Sequence, residues 1–203
     1  MATKIIPSVA NCRKVDPWSG RTNCGRNARK NRAVFGFSTS AGIACKNAFD
    51  PDTGATAILR YVVVDDFGAT LNPLLLAGQV HGGSVQGIGQ ALMEDTVYDA
   101  SSGQLLSASL MDYALPRAAD LPSFEFETHN VPCKSNPLGV KGAGEAGAIG
   151  SCPAVMNAVL DALWRAYRIR HIDMPATPQR IWAAIEAAKE SQGSEGVGNK
   201  RTH

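Results

Sequence analysis

Alternating and periodic apolar positions divide the chain into a short series of elements beginning near Gly42. Ile43, Cys45, Asn47 and Phe49 alternate with small or polar neighbours and run into Asp50-Pro-Asp-Thr-Gly54, which predicts a strand entering a tight turn. Residues 56–66 are β-branched and aliphatic, with Arg60 the one charge between Ala57 and Val64, so a strand buried on most of both faces is expected. After a loop over 67–73 the pattern predicts irregular chain passing into a helix that ends near Met93, with Val85, Ile88 and Leu92 on one face. The turn Tyr98-Asp-Ala-Ser-Ser-Gly103, flanked by 96–98 and 104–109, suggests a hairpin.

Further along, residues 123–130 place Phe124, Phe126 and Thr128 on one side and Glu125, Glu127 and His129 on the other, the pattern of a half-exposed strand. Ser151 and Pro153 read as the cap and first turn of a helix whose face is Val155, Met156, Val159, Leu160, Leu163, Trp164 and Tyr167. A last helix starts at Thr177-Pro178 and buries Ile181, Trp182 and Ile185. The division expected is a basic, poorly ordered arm over 1–43, a body over 44–190 and a flexible tail over 191–203.

Composition refines this picture in two ways. Of 203 residues 44% are hydrophobic and 19% charged, which excludes wholesale disorder, and no run of 18 apolar residues or signal-type apolar stretch occurs, so a cytoplasmic protein without a membrane role is expected. Residues 1–46 carry net +8 and the remainder −6, yet the arm offers few stacking aromatics and no helical charge stripe, so nucleic-acid binding is disfavoured. The five cysteines form no C-x-x-C pair and lack histidines at zinc-ligand spacing; they read as reduced thiols, and no metal ligands are assigned.

Two segments carry candidate chemistry. Gly82, Gly83, Gly87 and Gly89 fall within eight residues of a helical pattern, so either close packing of a helix on a sheet or a ligand approaching the backbone is expected there; His81 beside them reads as a packed structural histidine, a base or a ligand. Gly142-Ala-Gly-Glu-Ala-Gly147 matches the dinucleotide fingerprint G-x-G-x-x-G. The preceding Val131-Pro-Cys-Lys-Ser-Asn-Pro137 cannot form the strand that fingerprint requires, and Asp161 sits within a helical pattern rather than at a strand end. What remains is a glycine loop presenting Glu145 beside Lys141 at a helix N-terminus.

The order Asp50-x-x-Thr-Gly54, Asn72-Pro73, Gly78-Gln-Val-x-Gly82, Gln86-Gly-x-Gly89 and Gly142-x-Gly-Glu145 resembles the C-terminal part of the molybdopterin-binding large subunit of molybdenum hydroxylases: xanthine dehydrogenases, aldehyde oxidases and aerobic carbon monoxide dehydrogenases. The resemblance implies an α+β molybdopterin-binding domain with a mixed sheet and packed helices. It implies Glu145 as catalytic general base, and Gln86, Gly87, Gly82, Gly83, Gly142, Ala143 and Gly144 against a molybdenum–molybdopterin cofactor or its cytosine dinucleotide form. Water-derived oxygen would enter an electrophilic carbon of a small-molecule substrate, and electrons would pass to iron–sulfur and FAD subunits or domains. The rest of the large subunit would complete the pocket. The alternatives are an inactive remnant of such a subunit and a nucleotide-binding α/β domain using the 142–147 loop.

Overall fold

A computed structural model describes residues 34–40 and 42–198; most of the basic arm therefore lies outside the described residues. Strands β1 (Val34–Ser40), β2 (Ile43–Phe49), β3 (Thr56–Asp65) and β4 (Phe124–Thr128) form one sheet in that order. The first three are antiparallel, and β4 joins β3 in parallel, giving the mixed sheet expected. β1 falls within the 1–43 segment expected to be a poorly ordered arm.

The β2–β3 register slips between Lys46 and Asn47: Lys46 pairs Arg60 while Asn47 pairs Ile58, leaving Leu59 as the extra residue. This bulge lets Ile58 and Tyr61, three residues apart, both turn into the core with Val63. The other face of β3 is open, with Val64 40% exposed, so the expectation of a strand covered on both faces is corrected. That open face carries a bidentate Arg60–Glu125 pair at 2.7 Å, which holds Glu125 below and Arg60 above their ordinary titration ranges. Both side chains are half in water, so the pair contributes no more than about 1 kcal/mol.

Among the described residues three α-helices complete the body: α1 (Pro73–Leu92), α2 (Ala146–Tyr167) and α3 (Pro178–Gly198). α1 begins at once rather than after irregular chain. Asn72 Oδ1 accepts from the Leu74 and Leu75 amides at 3.1 Å, and Pro73 occupies the first turn, where no amide hydrogen is missed. α2 starts at Ala146, before the expected cap. Ser151 is wholly buried, and its hydroxyl donates to the Ser84 carbonyl of α1 at 2.8 Å instead of capping. Pro153 sits inside the helix, where its missing amide frees the carbonyl of Ile149, a 72% exposed residue.

The α2 face is built as the period predicts around Val155, Val159 and Leu163, with Ala154, Ala158 and Ala162 also fully buried. Though α2 is long and apolar enough to cross a membrane, that face lies in the core with Tyr61, Ile181 and Ile185. Trp182, expected in the core, is 46% exposed, and α3 continues to Gly198 through the segment read as a tail. The 96–109 hairpin is reduced to one Tyr98–Leu105 bridge. Its turn is held by Asp99, whose carboxylate accepts from the Ser101 and Ser102 amides and hydroxyls and is thereby kept well below the usual carboxylate range.

Candidate active site

Gly89 is hemmed in by Glu94 and Pro116; the other glycines of the two segments separate into two groups. A Cβ on Gly83 would lie 3.0 Å from the Ala148 amide, one on Gly87 would lie 2.6 Å from Ser151 Cβ, and one on Gly147 would lie 2.4 Å from the Val80 carbonyl. These three let α1 and α2 cross with their backbones nearly touching. Gly83 and Gly87, expected against the cofactor, sit at this crossing, and the close neighbour is a helix rather than a sheet. By contrast, Gly82, Gly142 and Gly144 face open space, with nothing within 4 Å of an added Cβ.

Glu145 is the N-cap residue of α2, and its side chain makes no cap hydrogen bond. It is exposed, and its carboxylate has no ion pair or hydrogen-bond partner among the described residues. Lys141, its neighbour in sequence, is engaged elsewhere. Its ammonium binds Asp66, which also accepts from the Gly68 amide at 2.9 Å and the Val131 amide at 3.0 Å. Asp66 therefore ties the loop after β3 to the loop that leads to Glu145. The Lys141 hydrogen bond, followed by the two amides, lowers the Asp66 carboxyl to about 2. A carboxyl whose folded value is depressed stabilises the fold above its unfolded value, and that contribution is lost as pH falls. The parent should lose stability on acidification from the ordinary aspartate value of 3.8 towards about 2 more steeply than Asp66→Asn, measured as melting temperature against pH. Parallel curves would remove Asp66 from this role.

A contact that sequence reasoning missed fixes the glutamate loop from the side of α1. Gln79 Nε2 donates to the Gly144 carbonyl at 2.7 Å, across 65 residues of sequence. The signal available was the Gly78-Gln-Val-x-Gly82 motif, whose glutamine lies one helical turn before Gly83, on the side turned towards α2. Gln86 lies two turns further along α1; it is exposed, and its amide has no partner among the described residues. Gln79, Lys141 and Ala143 line an open cleft of ≈ 390 Å³ together with Phe67, Leu75 and Val140. Ala143 thus faces this cleft, two residues before Glu145.

His81 belongs to the other side of α1. Its ring meets Phe124 edge-on at 5.6 Å and Phe126 at 6.1 Å, and it is a packing residue between helix and sheet. Cys45 and Tyr61 lie beneath the helices, where burial pushes both up to about 12, so neither ionises near neutrality. No strand precedes Gly142 directly among the described residues: β4 ends at Thr128, and bends and turns follow, as the failed dinucleotide reading requires. Among the described residues no group of three or more potential metal ligands occurs.

Comparison with known proteins gives a consistent answer. Residues 13–122 match the molybdopterin cofactor-binding domain family, a match that takes in part of the basic arm over 1–43. The carbon monoxide dehydrogenase large chain of Hydrogenophaga pseudoflava is 37% identical over 142 residues, 70% of this chain and 17% of that protein. The xanthine dehydrogenase molybdenum-binding subunit of Escherichia coli O157:H7 is 38% identical over 131 residues, 64% of this chain and 17% of that one. Among solved structures, the Cu,Mo carbon monoxide dehydrogenase superimposes with a TM-score of 0.69 at 35% identity, covering 72% of this chain and 18% of that one. Quinoline 2-oxidoreductase from Pseudomonas putida 86 gives 0.66 at 37% identity. The chain spans less than a fifth of the length of these relatives.

Proposed function

Because the chain belongs to the molybdopterin cofactor-binding domain family, we propose that it supplies one wall of the cofactor pocket in the large subunit of a molybdenum hydroxylase, with Glu145 as general base. The observation that carries this reading is an unpaired carboxylate at the start of α2, set between glycines with open backbone and tied to α1 through Gly144. The residues present fit the cofactor. Gly82, Gly142 and Gly144 leave space in which a planar group can meet the backbone, and the amide of Gln86 adds neutral hydrogen-bonding capacity without a competing partner. Gln86, Gly82, Gly142, Ala143 and Gly144 would hold it. When bound, the molybdenum cofactor supplies the two-electron redox centre of the reaction.

In the overall change, an electrophilic carbon of a small-molecule substrate gains an oxygen from water, and two electrons and two protons leave. Glu145 accepts one of those protons, a role worth about 10²–10⁴-fold in rate for a well-placed base. Gln79 holds the carbonyl immediately before Glu145 and so fixes where the carboxylate starts from its backbone. The electrons pass to iron–sulfur and FAD domains or subunits, the remainder of the large subunit closes the pocket, and the assembly works in the cytoplasm.

The test of this arrangement is Gln79→Ala in a complete large subunit carrying this segment. The substitution frees the Gly144 carbonyl without touching Glu145, so kcat should fall about tenfold, the scale of a lost positioning hydrogen bond, while KM and molybdenum content stay close to the parent. A rise in KM at unchanged kcat would show that Gln79 serves binding and not the placement of the base.

A further inference from the structure

Leu71, just before the Asn72 cap, and the first turn of α1 carry more apolar surface than the core uses. The stripe that faces inward is Leu76, Val80, Ser84 and Ile88, yet Leu71, Leu74 and Leu75 are 76%, 81% and 70% exposed. Two open clefts flank this stretch; Leu71 and Leu75 line the first of them and Leu74 lines neither. One, of ≈ 390 Å³, lies on the side of the 140–143 loop; the other, of ≈ 580 Å³, lies between α1 and the edge strand β4 and includes Ala77 and Phe126, and Thr70 and Leu76 line both. The beginning of α1 is thus an apolar ridge with a trough on each side. A surface of this kind on a single chain marks an interface.

The charges around it narrow the occupant. Lys141 in the first trough is already paired with Asp66, and the second trough carries only Glu127. Nothing there calls for a charged ligand. More than four-fifths of the length of the large subunits matched above has no counterpart in this chain, and the first trough is continuous with the glutamate loop through Gln79 and Ala143. We infer that Leu71, Leu74 and Leu75 seat uncharged, apolar segments from the remainder of the large subunit, so that the same contact that covers the ridge closes the pocket beside Glu145. This inference rests on the large-subunit reading of the preceding section.

The experiment compares Leu74→Glu/Leu75→Glu in two settings: this chain alone, and a chimera in which it replaces the matched 142 residues of the Hydrogenophaga pseudoflava carbon monoxide dehydrogenase large chain. In the chain alone both leucines already face water, and acidic residues suit a helix first turn, so the melting temperature should stay within about 2 °C of the parent. In the chimera the same pair should open the junction, seen as an earlier second melting transition and proteolysis faster by about tenfold or more. An unchanged chimera, or a chimera that fails to fold with both leucines intact, would overturn the proposal. So would a discrete dimer of the chain alone that the substitutions abolish while the chimera is indifferent, because the ridge would then serve a second copy. Melting and proteolysis do not depend on turnover, so failure of the catalytic reading would show separately, as full activity of a Glu145→Gln chimera.

Discussion

Glu145→Gln, in a complete large subunit carrying this segment, is expected to retain its molybdenum and to lose turnover by at least about 10²-fold, the lower range for a missing general base. The carboxamide has the shape of the carboxylate but cannot accept the proton. Nothing else in the structure should change. The Glu145 side chain makes no cap hydrogen bond and no ion pair among the described residues, and α2 is anchored independently by the Ser151–Ser84 contact and the Gln79–Gly144 bond. Melting temperature and metal content should therefore match the parent, which separates lost chemistry from lost structure. A variant that turns over within about threefold of the parent would exclude Glu145 as the base, since such a change is below the smallest effect expected of that role.

The second large effect concerns stability. Gly147→Ala places a Cβ 2.4 Å from the Val80 carbonyl and 2.9 Å from the Ser84 amide, both backbone atoms of α1. A flexible side chain could turn aside; two helix backbones have to move apart. The helix-propensity gain of alanine over glycine is about 1 kcal/mol at most, whereas overpacking of this kind costs about 1–3 kcal/mol and more when backbone must shift. A net loss of about 2 kcal/mol would lower the melting temperature by about 4–8 °C in a chain of this size. Gly78→Ala provides the opposite sign. Gly78 lies in α1 with nothing within 4 Å of an added Cβ, so there the propensity gain of about 0.5–1 kcal/mol stands alone and the variant should melt slightly higher. Equal shifts in the two variants would mean that the α1–α2 crossing is not where close packing is required.

That contrast also explains what could be read from the sequence. The strands were legible wherever local pattern decided them: the alternation from Ile43 to Phe49, the β-branched run of β3 and the alternating phenylalanines of β4 each specify a pleated segment. The Asn72–Pro73 cap marks the start of α1 locally, but the glycine-rich pattern after it argues for irregular chain; Gly83 and Gly87 are accommodated in the helix because α2 lies against them, a tertiary effect that overrides propensity. The start of α2 was misread because Ser151 and Pro153 carry the chemistry of a cap, while the buried hydroxyl actually serves the neighbouring helix. The parallel pairing of β3 with β4 depends on a crossover that includes α1 and a long irregular stretch, so no local signal announces it.

The candidate site divides along the same line. Glu145 and its open glycines stood out because nothing structural accounts for a lone acid among them. Gly83 and Gly87 looked like their equals and differ only in having a helix beside them, which spacing alone does not reveal. The Gln79–Gly144 bond joins positions 65 residues apart, and its existence follows from the helix crossing that those same glycines permit.

Molybdenum content, measured by mass spectrometry on this chain produced alone in a host that makes molybdopterin, decides whether the chain holds one wall of the pocket or all of it. A pocket with one wall forms only part of the hydrogen bonds that a complete cleft offers, each worth about 1.5–3 kcal/mol to a charged group, so affinity should fall by many orders of magnitude. Molybdenum far below one atom per chain is expected. Stoichiometric molybdenum in the monomer would contradict it, because the site would then be complete within these 203 residues.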